Sequence, residues 1–145
     1  MQKFVLLVIK ISILEINKMS ENIVVLKDEN NQIPIPSIWR ETLFNIVEAL
    51  KDGDFRIQRG INGVLQISKE DALRIERNLE AYGAQLISLP EETWDSSVCQ
   101  WMNSYWDVLV DLYTMEEGAS DLALFVRVSE SDSSYFFDIQ SVHVA

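Results

Sequence analysis

One cysteine, one histidine, three prolines and five glycines are all that 145 residues contain of those four types. The lone thiol, Cys99, excludes an internal disulfide framework and a cysteine-rich zinc site, so nothing demands an oxidising compartment and a reducing cytoplasm is the expected setting. Scarce Gly and Pro beside 48% hydrophobic and 10% aromatic residues exclude a disordered or fibrous chain. Long apolar runs are missing too. The opening "MQKFVLLVIKISILEINK" is broken by Lys10 and Glu15, short of the about 20 apolar residues a membrane span needs, and no small-residue cleavage site follows it. Met19 then opens "MSENIVVLKDENNQ" like a fresh N-terminus, so residues 1–18 are expected to be a non-native or disordered extension ahead of a single α+β domain over 19–145. A chain of this size buries roughly 70% of the surface it exposes when unfolded, enough for a real core.

Basic residues are the last shortage. Residues 1–77 carry eleven Lys and Arg against eleven Asp and Glu, whereas residues 78–145 carry twelve Asp and Glu against Arg127 alone. The whole net charge of −11 therefore belongs to the C-terminal half. Without a basic footprint, phosphate recognition is excluded, and with it nucleic-acid binding and attachment to an anionic membrane. Surface charge of one sign repels itself, and solubility alone does not require it to be segregated, so the asymmetry points to an acidic binding face.

Two periodicities are present. After "IPIP", Ser37 is expected to cap a helix reaching about Lys51, with Trp39, Leu43, Ile46, Val47 and Leu50 on one stripe. Ser68 followed by Asp71 imitates a capping box, and Ala72, Ile75, Leu79 and Tyr82 share a face before Gly83 stops a second helix. The intervening "DFRIQRGINGVLQI" reads as a loop with one short strand. From Ala84 the period becomes two. "AQLISLP" reads as a short strand ended by Pro90. "SYWDVLVDLYT" sets Trp106, Val108, Val110 and Leu112 against Asp107, Leu109, Asp111 and Tyr113; "SDLALFVRVSE" turns Leu122, Leu124, Val126 and Val128 inward; and "SYFFDIQSVHVA" follows. The predicted fold is α+β, an antiparallel β-meander of four to five strands with two helices packed on one face.

The carboxylates of the stranded half are the candidate partner-binding residues: Glu91, Glu92, Asp95, Asp107, Asp111, Glu116, Glu117 and Asp121. No metal and no cofactor is expected. Asp107 and Asp111, four residues apart on a strand, stand about 13 Å from each other and cannot grip one ion, and no spacing resembles a calcium loop. Cys99 with His143 is the alternative, a cysteine-dependent hydrolase in which the thiol lies in a helical turn "DSSVCQWM" capped by Asp95 or Ser96. Surrounding carboxylates oppose it by destabilising a thiolate. Trp106 falls on the apolar side of its strand and is expected in the core; Trp94 and Trp101 are open to either core or interface.

The segments "LPEETWDSSVCQW", "WDVLVDLYTMEEGASDLAL" and "IPSIWRETLFNIVEAL" resemble an uncharacterised family of small bacterial proteins, a domain of unknown function, over about residues 34–145. That resemblance carries no catalytic residue across. Size and charge lead to a non-catalytic acidic binding protein, immunity- or inhibitor-like, engaging a basic protein through its C-terminal sheet. The third alternative is an acidic scaffold subunit without separable activity.

Overall fold

The computed structural model describes residues 24–145; the expected extension over 1–18 and the candidate start at Met19 lie outside the described residues. Eight elements follow in order: β1 (Ile33–Pro34), α1 (Ser37–Lys51), α2 (Lys69–Tyr82), α3 (Thr93–Ser96), β2 (Val98–Trp101), β3 (Trp106–Thr114), β4 (Gly118–Ser131) and β5 (Ser134–Val144). The α+β reading holds, with five strands in one antiparallel sheet ordered β1-β2-β3-β4-β5.

α1 buries the stripe its spacing announces: Trp39, Leu43, Ile46, Val47 and Leu50 are all sequestered. Ser37 is not its cap. Pro36 occupies the N-cap and no side chain caps the helix; instead the Arg40 guanidinium reaches back to the Ile35 carbonyl at 3.1 and 3.0 Å and lies over the Trp94 ring. α2 follows its sequence signals more closely. The Ser68 hydroxyl accepts the Asp71 N–H, Glu70 and Asp71 sit at the positive end of the dipole, and Gly83 at φ 78° closes the helix in the left-handed conformation.

Strand pairing sorts every side chain to one of two faces. Trp106, Val108 and Val110 of β3 pair with Val128, Val126 and Leu124 of β4, which pair with Phe137, Ile139 and Val142 of β5. All of these are buried, and with α1 and α2 they form one core. Its centre is aromatic. Trp39 of α1 meets Trp106 edge-on at 5.2 Å and Tyr135 at 5.4 Å, contacts worth about 0.5–1.5 kcal/mol each beyond their buried area. The Trp106 indole N–H, carried to 0% exposure, donates to the Leu26 carbonyl at 3.0 Å, as most buried donors do, whereas the buried indole N–H of Trp39 has no partner among the described residues.

Three segments depart from their sequence reading. The short strand expected in "DFRIQRGINGVLQI" is absent, and Val64 forms only an isolated bridge with Phe137. Residues 84–90 make no strand; Leu86 forms an isolated bridge with Thr114, flanked by the bonds Ile87 N–H to Tyr113 C=O and Met115 N–H to Gln85 C=O. "VCQW" is a strand and not part of a helical turn, because Cys99 and Trp101 turn to the core while Val98 and Gln100 turn away; the helical turn is the preceding α3. The outer edge of β3 is therefore covered in pieces. β2 pairs Trp106 to Leu109, the Ser97 hydroxyl accepts the Asp111 N–H while the Thr93 hydroxyl donates to the Asp111 carbonyl, and residues 85–87 complete it.

The edge of β5 is closed just as deliberately. Phe137 exchanges bonds with Gly63 C=O and Leu65 N–H, the Arg74 guanidinium of α2 takes the Gln140 carbonyl, and Asn78 takes that of Val142, both at 2.9 Å. Gly63 is required there: at φ 78°, a Cβ would stand 2.9 Å from the Tyr135 carbonyl oxygen. An edge so occupied is not free to recruit another strand.

Candidate functional site

Both long helices pack on one face, and among the described residues no helix covers the other face of the sheet. Register arranges that open face in three rows that run across the strands. The first is Gln100, Asp107, Arg127 and Asp138; the second is Val98, Leu109, Phe125 and Ser141; the third is Asp111, Ala123 and His143. A central row that is mostly apolar is thus flanked on both sides by carboxylates. Parts of these rows line a groove of about 460 Å³: Gln100, Asp107 and Arg127 of the first, Val98, Leu109, Phe125 and Ser141 of the second, and His143 of the third, with Asp111 and Asp138 outside it. A bulge between Phe125 and Val126 leaves Gln140 as the extra residue of β5, and such a bulge bends its strand.

Three local arrangements fix the groove's side chains. The His143 ring stacks on Phe125 at 4.2 Å with an interplanar angle of 6°, and its Nδ1 lies 2.8 Å from the Ser141 hydroxyl. The Arg127 guanidinium lies 4.6 Å from the Tyr105 ring centre. Its Nε stands 3.7 Å from Asp107 Oδ1, with both side chains about half exposed. Of the six ion pairs among the described residues, this is the one that reaches the open face.

The eight carboxylates named from the sequence fall in three places. Asp107 and Asp111 share the open face, one in each flanking row. Glu91, Glu92 and Asp95, all exposed, belong to the α3 turn, which Thr93 and Ser97 tie to the backbone of Asp111. Glu116, Glu117 and Asp121 gather at the far corner around Tyr82. There Glu117 accepts the Tyr82 hydroxyl at 2.6 Å, Glu116 accepts the Gln85 N–H, and the Asp121 N–H donates to the Tyr82 oxygen. The Glu117 carboxylate pushes the Tyr82 phenol above its usual range. Glu116 and Glu117 therefore turn toward the helix layer, and a single acidic sheet surface holding all eight gives way to a smaller one centred on Asp107 and Asp111. Among the described residues, Asp107 alone of the eight has a Lys or Arg within 4 Å, and that partner is Arg127.

Cys99 and His143 do not meet. Cys99 faces the core from β2 and is 2% exposed, whereas His143 is exposed on the open face of β5. Three inter-strand steps of about 4.8 Å put their strands roughly 14 Å apart, on opposite sides of the sheet. Burial pushes the thiol up to about 12, and its neighbour is the Pro34 carbonyl. No proton can pass directly between these two groups. Trp94 and Trp101, left open by the sequence, are respectively buried and half-buried against the core. Among the described residues no cluster of His, Cys, Asp and Glu could hold a metal ion, and no helix is long and apolar enough to cross a membrane.

The sequence reading missed Phe125, Arg127 and Ser141, which line the groove, and Asp138, which neighbours Arg127 on the open face. Their signal was available in the period-two pattern, since each alternates with the buried Leu124, Val126, Val128, Phe137 or Val142. Alternation alone does not say which outward residues of different strands are neighbours.

A family model described as a domain of unknown function, DUF7668, matches residues 47–145. That is more than half of the chain, which therefore belongs to this family. The match opens inside α1 and spans the whole sheet from β2 onward, a start later than residue 34. No curated protein and no solved structure matches the chain.

Proposed function

We propose that this DUF7668 member is a non-catalytic acidic binding protein whose open sheet face docks a basic protein partner, as an immunity or inhibitor protein does in a bacterial cytoplasm. The observation that carries the reading is the open sheet face: an apolar row flanked on each side by carboxylates, Asp107 and Asp138 on one side and Asp111 on the other, with Arg127 the one Lys or Arg in these rows among the described residues. A surface of this kind suits a partner that sets an apolar side chain on Leu109 and Phe125 and cations beside Asp107 and Asp111. The apolar row would supply buried area at the centre of the contact, and the carboxylates would supply steering and orientation. A charge of −11 adds long-range attraction toward a basic surface, raising association rates by about 10 to 10³-fold at low salt. The separation of Cys99 from His143 argues against the hydrolase alternative.

The test begins with the immobilised protein in extract from its own cells, run beside an Asp107→Asn/Asp111→Asn variant. The expected partner has a basic isoelectric point and is retained by the wild type but not by the variant. Its association rate should fall steeply as ionic strength rises from about 0.01 to about 1 M, where the Debye length shrinks from about 30 to about 3 Å. Cys99→Ala should bind as the wild type does. Equal retention by the double variant, or an association rate indifferent to salt, would remove the proposal.

A further inference from the structure

We propose that Arg127 occupies, within the free protein, the place that a cation of the partner takes in the complex, so that it acts as an internal competitor which sets affinity and selects for strongly basic partners. The inference rests on the reading of the open face as a docking surface. Arg127 is the one Lys or Arg among residues 78–145, and it stands in the middle of the groove, directly between Asp107 on β3 and Asp138 on β5. Two carboxylates thus neighbour one arginine by register across adjacent strands, and the guanidinium has come within ion-pair distance of Asp107 alone.

The pairing is loose. Arg127 and Asp107 approach to 3.7 Å through Nε, with side-chain exposures of 49% and 52%, and Asp138 is not within ion-pair distance of any described Lys or Arg. A half-exposed pair of this geometry is held by no more than about 1 kcal/mol. Arg127 is also held independently of Asp107, because the Tyr105 ring lies 4.6 Å from the guanidinium. A cation arriving from a partner can thus take Asp107 while Arg127 retains its aromatic contact. A weakly basic or neutral surface gains too little to displace it, and specificity here is the difference between those two gains.

The experiment uses the full chain and a decalysine peptide as probe, with affinities read by isothermal titration at low salt. Arg127→Gln and Arg77→Gln change the net charge equally, but Arg77 is exposed on α2, in the helix layer. Arg127→Gln is expected to bind the probe roughly fivefold more tightly than the wild type, the equivalent of the pair's upper strength. Arg77→Gln should change affinity less than about twofold, because its charge is distant and screened. Arg127→Met, which keeps the apolar stem without the charge, should behave as Arg127→Gln does. Equal effects at the two positions, or weaker binding by Arg127→Gln, would overturn the inference while leaving the docking reading intact, provided Asp107→Asn/Asp111→Asn still weakens binding. Unaltered binding by that double variant would overturn both.

Discussion

Cys99 offers the sharpest check on the proposed non-catalytic reading. The thiol is 2% exposed on the core side of β2, and desolvation raises it from an ordinary 9.0 to about 12. Three units lower the thiolate fraction at neutral pH by about a thousandfold, and only the thiolate attacks an electrophile. Burial removes access as well, so modification should wait for local or global opening. Mixed with an aromatic disulfide reagent at neutral pH, the native protein is expected to react at least about a thousandfold more slowly than the same chain in denaturant. His143→Ala should leave both rates alone. Stoichiometric native labelling within about tenfold of the denatured rate would refute the reasoning, because it would require an accessible thiol of ordinary or lowered pKa. The same shift has a pH signature. The folded thiol keeps its proton to about 12 while the unfolded one loses it near 9.0, so its contribution to stability is intact below the unfolded value and is lost as pH climbs through the folded one. Cys99→Ala should flatten that part of the alkaline decline.

Gly63→Ala should cost about 2 kcal/mol or more, read from the urea midpoint, because a left-handed backbone and a carbonyl at 2.9 Å both oppose a methyl group; an unchanged midpoint would contradict the close approach. Arg74→Ala/Asn78→Ala frees the Gln140 and Val142 carbonyls on the sheet edge, and sedimentation should then show more self-association than in the parent protein. Ser68→Ala removes the one side-chain cap of α2 and should lower stability by about 1 kcal/mol. Tyr82 should titrate above its ordinary range in a spectrophotometric pH series, because Glu117 disfavours the phenolate, and Glu117→Gln should bring it back down.

Much of the architecture was written locally. Alternation in "WDVLVDL" and "LALFVRV" assigns Trp106, Val108, Leu124 and Val126 to the core, because successive side chains of a strand must leave on opposite faces. Ser68 and Gly83 bound α2 because an unpaired N–H and a left-handed stop are near-neighbour matters. The segregation of charge needs no structure at all. Residues 84–90 escaped the local reading: their alternation is real, but Leu86 meets Thr114 at one bridge only, since β2 and the α3 turn already hold the rest of that edge.

Sequence by itself thus determined that there would be an apolar face, an outward face and an excess of negative charge on the stranded half. Only the tertiary structure decided that Asp107, Arg127 and Asp138 stand in one row, that Glu116 and Glu117 turn to the helices, and that Cys99 and His143 lie on opposite sides of the sheet. The reason is register. Which residues of separate strands become neighbours depends on hairpin length and on two register shifts, one between Asp111 and Tyr113 and one beside Gln140, and those are settled by pairing between residues distant along the chain.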